Sequence, residues 1–167
     1  GQNSQLSGAL AAPLPGVKIW RDDVGAGRGF VDLQPGFGSG TGRTGGGSRF
    51  GPELGFGHRL AEAFPDETIY LVKYAVGGTN LHEQWNPETG AHFETFAEVT
   101  SRALGELDSL GVDFTPEAML WTQGERDTRF VNMADAYEEN LPAFIEAVRI
   151  DQHAPERRFQ GAYAENK

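Results

Sequence analysis

The chain predicts an α/β fold, a parallel sheet with helices on both faces. Three observations carry this. Short runs rich in β-branched and aromatic residues alternate with stretches whose apolar residues recur at three and four. The resulting order of strand, helix, strand, helix, strand, helix, strand is that of parallel strands joined by crossover helices. A length of 167 residues fits one domain, 1–167, with enough chain to bury a core.

The stretch Leu6–Pro15 mixes small and apolar residues without a clear period, and Val17-Lys18-Ile19-Trp20 reads as a short strand. Residues Gly25–Gly47 are glycine-rich and read as a long flexible surface loop edging a site. Gly40-x-Gly42-x-x-Gly45 has the form of a dinucleotide fingerprint. No strand leads into it and no acidic residue ends a following strand, so nucleotide binding is not expected. Pro52 suits the first turn of a helix with the stripe Leu54, Phe56, Leu60, Ala61 and Phe64, which Pro65 ends. Thr68–Val76 reads as a buried strand, stopped by Gly77-Gly78. From Phe93 to Leu110 the residues Phe93, Phe96, Ala97, Ala103, Leu104, Leu107 and Leu110 make a second helical stripe, with Gly111 as its C′ residue. Glu117–Trp121 reads as the next strand. A last helix takes Asn132 as candidate cap and turns Ala136, Tyr137, Leu141, Phe144, Ile145 and Val148 inward. Arg158–Ala164 is read as opening another strand.

Composition narrows the functional classes. A net charge of −10 and the lack of a basic patch argue against a nucleic-acid partner. No apolar run approaches the ~20 residues of a membrane span. With no Cys there is no disulfide, thiolate nucleophile or Cys-ligated zinc. The four His are scattered without ligand spacing, so no metal is expected.

In a parallel sheet the strand C-termini meet at one edge, where ligands bind. Three strand-end loops carry polar residues beside small ones: Gly1–Gly8, Gly77-Gly78-Thr79-Asn80, and Trp121-Thr122-Gln123-Gly124-Glu125-Arg126-Asp127. Acyl transfer needs a nucleophile, N–H donors for an oxyanion and a base. Ser4 can supply the first, Gly77 or Gly78 a backbone N–H, and Gln123 an amide donor. The alternatives are Ser4 as a helix N-cap and the third loop as a polar turn capping the next helix.

These residues resemble the sialate O-acetylesterase and acetylxylan-esterase-like branch of the SGNH hydrolases, grouped as carbohydrate esterase family 6. Phe50-Gly51-Pro52-Glu53 matches that branch's Phe-Gly-Pro-Glu run, Lys73-Tyr74-Ala75-Val76-Gly77-Gly78-Thr79 its Lys-Tyr-Ala-x-Gly-Gly-Thr block, and Trp121–Asp127 its Trp-x-Gln-Gly-Glu-x-Asp. The resemblance covers about residues 1–150. It implies a flavodoxin-like three-layer fold, hydrolysis of acetyl esters on sugars such as acetylated xylan or sialic acid, and no metal or organic cofactor. It makes Ser4 the nucleophile and Gly78 and Gln123 the oxyanion hole. Gln2, Gly77, Thr79, Asn80 and His82 are then substrate-side residues, and Glu125 is expected to organise the loops through hydrogen bonds. A secreted or periplasmic location fits that substrate class.

Two departures stand out. The first block reads Gln2-Asn3-Ser4-Gln5 where the branch has Gln-Ser-Asn, so the serine is displaced by one residue or exchanged with the asparagine. Ser4-Gln5-Leu6-Ser7-Gly8 still parallels Ser-Asn-Met-x-Gly. The branch takes its base from an Asp-x-x-His block, but Gly55, Thr79, Thr89 and Ile150 stand three before His58, His82, His92 and His153. The expectation is that the first strand and the block bearing the base lie outside residues 1–167. His82 can line the site, against a reading as a solvated loop residue. His153 reads as a surface turn, and His58 and His92 as ordinary helix positions. Trp85 and Trp121 are candidates to stack on a sugar, with a core role the alternative for Trp121. Arg126 and Asp127 read as a surface cap or pair. A non-catalytic carbohydrate-binding relative and a glycosidase built on Glu125 are the rival functions; the latter leaves Gly77-Gly78 and Gln123 unexplained.

Overall fold

The computed structural model describes residue 6 and residues 8–23, 27–37 and 49–149. Contacts divide the chain into two compact units, Gly1–Gly77 and Gly78–Lys167.

The first unit is built on a three-stranded sheet, with a short 3₁₀ turn at Gly8–Ala11 preceding it. Strand β1 (Leu14–Asp23) lies between β2 (Gly27–Leu33) and β3 (Ile69–Leu71). It pairs antiparallel with β2, with an irregularity between Leu14 and Lys18, and parallel with β3 through Val17, Lys18 and Ile19. The expectation of a parallel sheet is therefore met only at the β1–β3 pair. Alternation sorts the side chains by face. Val17, Ile19 and Leu33 form a buried cluster with Phe37 and Leu54. Lys18 pairs with Asp32 across β1 and β2, and Arg28 Nε lies 2.8 Å from Asp22 Oδ1. Phe30 meets Trp20 and Tyr70 edge-on, with ring centroids 5.2 and 5.1 Å away.

Helix α1 (Pro52–Ala63) packs on β1 and β3. Its approach depends on Gly57, where a Cβ would run into Leu33 Cδ2 and lie 3.3 Å from Val17 Cγ1. Pro52 opens the helix as expected, because the first turn needs no N–H from that position.

Two strand expectations are corrected here. The glycine-rich stretch is not all loop, since its Gly27–Leu33 portion is β2. Gly27 and Gly29 at φ 88° and 141° carry the backbone through conformations other residues avoid, and Phe30-Val31-Asp32-Leu33 supplies the pairing residues. The remainder of that stretch, including the Gly40–Gly45 pattern, lies mostly outside the described residues. Of Thr68–Val76 the strand among the described residues is Ile69–Leu71, paired with Val17, Lys18 and Ile19 of β1.

The second unit contains α2 (Ala91–Ser109) and α3 (Val131–Val148), with a 3₁₀ turn at Asp127–Arg129 leading into α3. Helix α2 buries Phe93, Ala97, Val99, Thr100, Ala103, Leu104 and Leu107. Gly111, at φ 69°, ends it with paired bonds: its N–H donates to Asp108 O and Val112 N–H to Leu107 O, each at 3.0 Å. This is the Schellman arrangement that a C′ glycine favours. Helix α3 starts at Val131, so the N-cap is Phe130 rather than Asn132, which is exposed. The 3₁₀ turn feeds the helix directly, and Phe130 O accepts from Met133 and Ala134. Phe144 is the buried residue of α3; Ile145, expected inward, is 44% exposed. Residues 117–121 form no strand among the described residues, and Leu120 is 65% exposed. A short apolar run does not distinguish a strand from other buried chain, and of these residues only Trp121 favours a strand. The expected strand at Arg158–Ala164 lies outside the described residues.

An aromatic core fills this unit. Phe144 stacks at 4.2 Å on Trp121, which meets Trp85 edge-on at 5.2 Å, and Phe93 contacts Phe144 at 5.9 Å. Trp85 is 3% exposed, so it packs as core and offers no face to a sugar.

Candidate active site

The turn that follows Gly78 is built by its own side chains. Asn80 Oδ1 accepts from the N–H groups of Glu83 at 2.7 Å and Gln84 at 3.3 Å. Gln84 Oε1 accepts in return from Asn80 N–H at 3.0 Å. This reciprocal pairing closes the turn as a capping box closes a helix start. Trp85 Nε1 donates to Thr79 Oγ1 at 2.8 Å, tying the turn to the aromatic core. Gly78 begins the turn at φ 75°, a region where a side chain would be strained. It is exposed, and nothing lies within 4 Å of where its Cβ would be.

The loop after Trp121 grips that turn. Gln123 Nε2 donates to Thr79 O at 2.9 Å and to Asp127 Oδ2 at 2.6 Å. Both N–H groups of the amide are thereby used, and Gln123 O accepts from the Tyr137 hydroxyl at 3.0 Å. Asp127 is 0% exposed. Its carboxylate accepts from Leu81 N–H at 3.0 and 2.9 Å and from His82 N–H at 3.1 Å, besides Gln123. A buried carboxylate is costly unless several donors meet it, and here three N–H groups do.

The structure thus brings Gly78, Thr79, Asn80, His82 and Gln123 together around a residue read from sequence as surface decoration. Asp127 is no surface cap or pair; it is the buried hub. The side chain of Glu125, expected to tie the loops, is exposed, and its contact is the backbone carbonyl that accepts from Thr128 Oγ1 at 2.9 Å. Thr79 and Asn80 are 7% and 5% exposed, their side chains spent on the turn. His82 is half-buried, and its Nδ1 lies 3.2 Å from Asn140 Nδ2. With the asparagine donating, neutral His82 carries its proton on Nε2. Gln2 and Ser4 lie outside the described residues. Gly77 belongs to the first unit and is exposed. Sequence reasoning missed Asn140 and the hydrogen-bonding role of Tyr137, whose aromatic position had pointed only to packing.

The first unit explains two further motif residues. Lys73 Nζ donates to Glu53 Oε2 at 2.7 Å and to Phe37 O at 2.6 Å. Glu53 Oε1 also accepts from Gly51 N–H at 2.8 Å, at the start of α1. The Phe-Gly-Pro-Glu run and the Lys73 block are therefore joined by a partly buried ion pair.

The sequence profile of a carbohydrate esterase family, described as sialic acid-specific acetylesterase, matches residues 39–163. The chain belongs to this family. A solved protein from Arabidopsis thaliana is similar in fold, with a TM-score of 0.56 at 20% identity. The match covers 85% of this chain and 54% of that one, so the chain spans about half the length of this relative. No curated protein gives a significant match. Among the described residues no helix is long and apolar enough to cross a membrane. Nor do three His, Asp or Glu side chains among them cluster as a metal ion requires.

Proposed function

We propose that the protein is a serine carbohydrate esterase that removes O-acetyl groups from sugars or polysaccharides, acetylated xylan and sialic acid being the substrates the resemblance suggests. The observation that carries this reading is the Gly78 turn: an exposed, positive-φ glycine at the start of a turn held by Gln123 and Asp127, within a chain of the acetylesterase family. Such a turn presents a donor with no side chain in the way, the feature an oxyanion site needs. On this reading the sheet is part of a flavodoxin-like three-layer fold, which the likeness of fold supports.

The chemistry follows in two steps. Ser4 Oγ attacks the acetyl carbonyl carbon while a histidine takes its proton. Gly78 N–H receives the negative oxygen, and Gln123, whose amide N–H groups are engaged by Thr79 O and Asp127, holds the turn that carries it. The C–O bond to the sugar breaks, and the sugar oxygen takes the proton from the imidazolium. Water then releases acetate from the serine by the same route. The resemblance assigns the base to an Asp-x-x-His block. On this reading His82, on the same turn, offers its Nε2–H to the substrate.

The test is hydrolysis of p-nitrophenyl acetate and acetylated xylan by the intact protein, before and after Ser4→Ala. Loss of turnover on substitution is expected, and full activity in Ser4→Ala would reject the assignment. Glycan binding without ester turnover in the unaltered protein would select the non-catalytic relative. Release of reducing sugar that Glu125→Gln abolishes would select a glycosidase.

A further inference from the structure

We infer that Asp127 is a positioning residue for the ester hydrolysis proposed above, a reading on which this inference rests. Its buried carboxylate locks the turn from Gly78 to His82 against Gln123 and so fixes the direction of the Gly78 N–H.

The chemical choice of residue is the first argument. Asp127 is fully buried, and its partners among the described residues are N–H groups: Leu81, His82 and the Gln123 amide. A carboxylate is acceptor-only, with two oxygens able to take several donors at once. An asparagine of the same shape would turn one oxygen into a donor and face it toward an N–H. A buried charge costs far more than a neutral group, so a turn needing only closure has cheaper means, and this one already has them in Asn80 and Gln84.

Placement is the second argument. Gly78 has no hydrogen bond of its own to another described residue and no atom near its would-be Cβ. Its orientation is inherited from the residues that follow. Gln123 holds Thr79 through its carbonyl, and Asp127 holds Leu81 and His82 through their N–H groups. Asp127 also orients the amide of Gln123 itself. One carboxylate therefore sets both expected oxyanion-side residues. A donor displaced by about 1 Å loses on the order of 10²-fold in rate.

The test uses the intact protein and the variants Asp127→Asn and Asp127→Ala, with Asp135→Asn, on the exposed face of α3, as control. Turnover of p-nitrophenyl acetate is expected to fall about 10²-fold in kcat with KM changed less than about threefold, as for loss of oxyanion stabilisation. In ¹⁵N–¹H spectra the Leu81 and His82 amide signals are expected to move while those of α2 stay. A folded Asp127→Asn protein with wild-type kcat would overturn the inference, as would unmoved Leu81 and His82 signals. Should both variants fail to fold, hydrogen exchange in the wild type decides. These two amides lie outside any helix or strand, yet are expected to be protected, and fast exchange would overturn the inference. If the wild-type protein hydrolyses no acetyl ester, the esterase reading fails, and the amide shifts alone then decide whether Asp127 holds the turn.

Discussion

Single residues decide how the candidate site is held. Gly78 sits at φ 75° with open space around it, so the demand for glycine is conformational and not steric. Gly78→Ala is expected to cost about 1–3 kcal/mol in stability, the usual strain of such a backbone for a residue with a Cβ. A urea unfolding curve with the same slope and a lower midpoint would show it. Lys73 and Glu53 make the other residue-scale case. Lys73→Met leaves the carboxylate of Glu53, 7% exposed, without its cation, and a loss of about 3 kcal/mol is expected by denaturant unfolding. The double variant Glu53→Gln, Lys73→Met should lose less than the single one, because no unpaired charge remains buried.

At the scale of elements, legibility tracked how local the cause was. Helix α2 and its Gly111 stop were readable because a 3.6-residue stripe and a C′ glycine are local signals. Strand β2 was hidden by the glycines around it, since its stability comes from pairing with β1 and not from composition. Residues 117–121 misled for the converse reason: a short apolar run, Ala118-Met119-Leu120, reads as a strand by itself but has no partner strand among the described residues. Helix α1 yields a prediction of its own. Gly57→Ala pushes a methyl group into Leu33 and Val17 beneath it, and about 1–3 kcal/mol should be lost to overpacking. A compensating Leu33→Ala or Leu33→Val change that restores thermal stability in part would confirm the contact. In α3 the anchor is Phe144, 1% exposed among Trp85, Trp121 and Phe93. Phe144→Ala should cost about 3–5 kcal/mol, read from the shift in denaturation midpoint.

For the molecule as a whole, the motif blocks pointed to one family, and the match over residues 39–163 places the chain there. The Lys73–Thr79 and Trp121–Asp127 blocks were legible because their residue types at fixed spacing are specific. What each residue does within a block was less so. Glu125 and Asp127 are both acids two residues apart, and nothing in their spacing says which one turns inward. The 3₁₀ turn at Asp127–Arg129 buries the second, while the side chain of Glu125 is exposed. The esterase reading makes a molecule-scale prediction as well: acetate release from the intact protein should be unchanged by EDTA, because the expected chemistry draws its charge stabilisation from backbone N–H groups.

The sequence by itself determined the α/β class, the helix α2 with its terminus, and the family, since periodicity, end signals and motif spacing are written along the chain. The tertiary structure alone decided the mixed pairing of the sheet, the core position of Trp85 and the identity of the buried hub. Each of those depends on which distant groups meet. A carboxylate becomes an organiser only when Leu81, His82 and Gln123 bring their N–H groups to it, and no local pattern around Asp127 records that meeting.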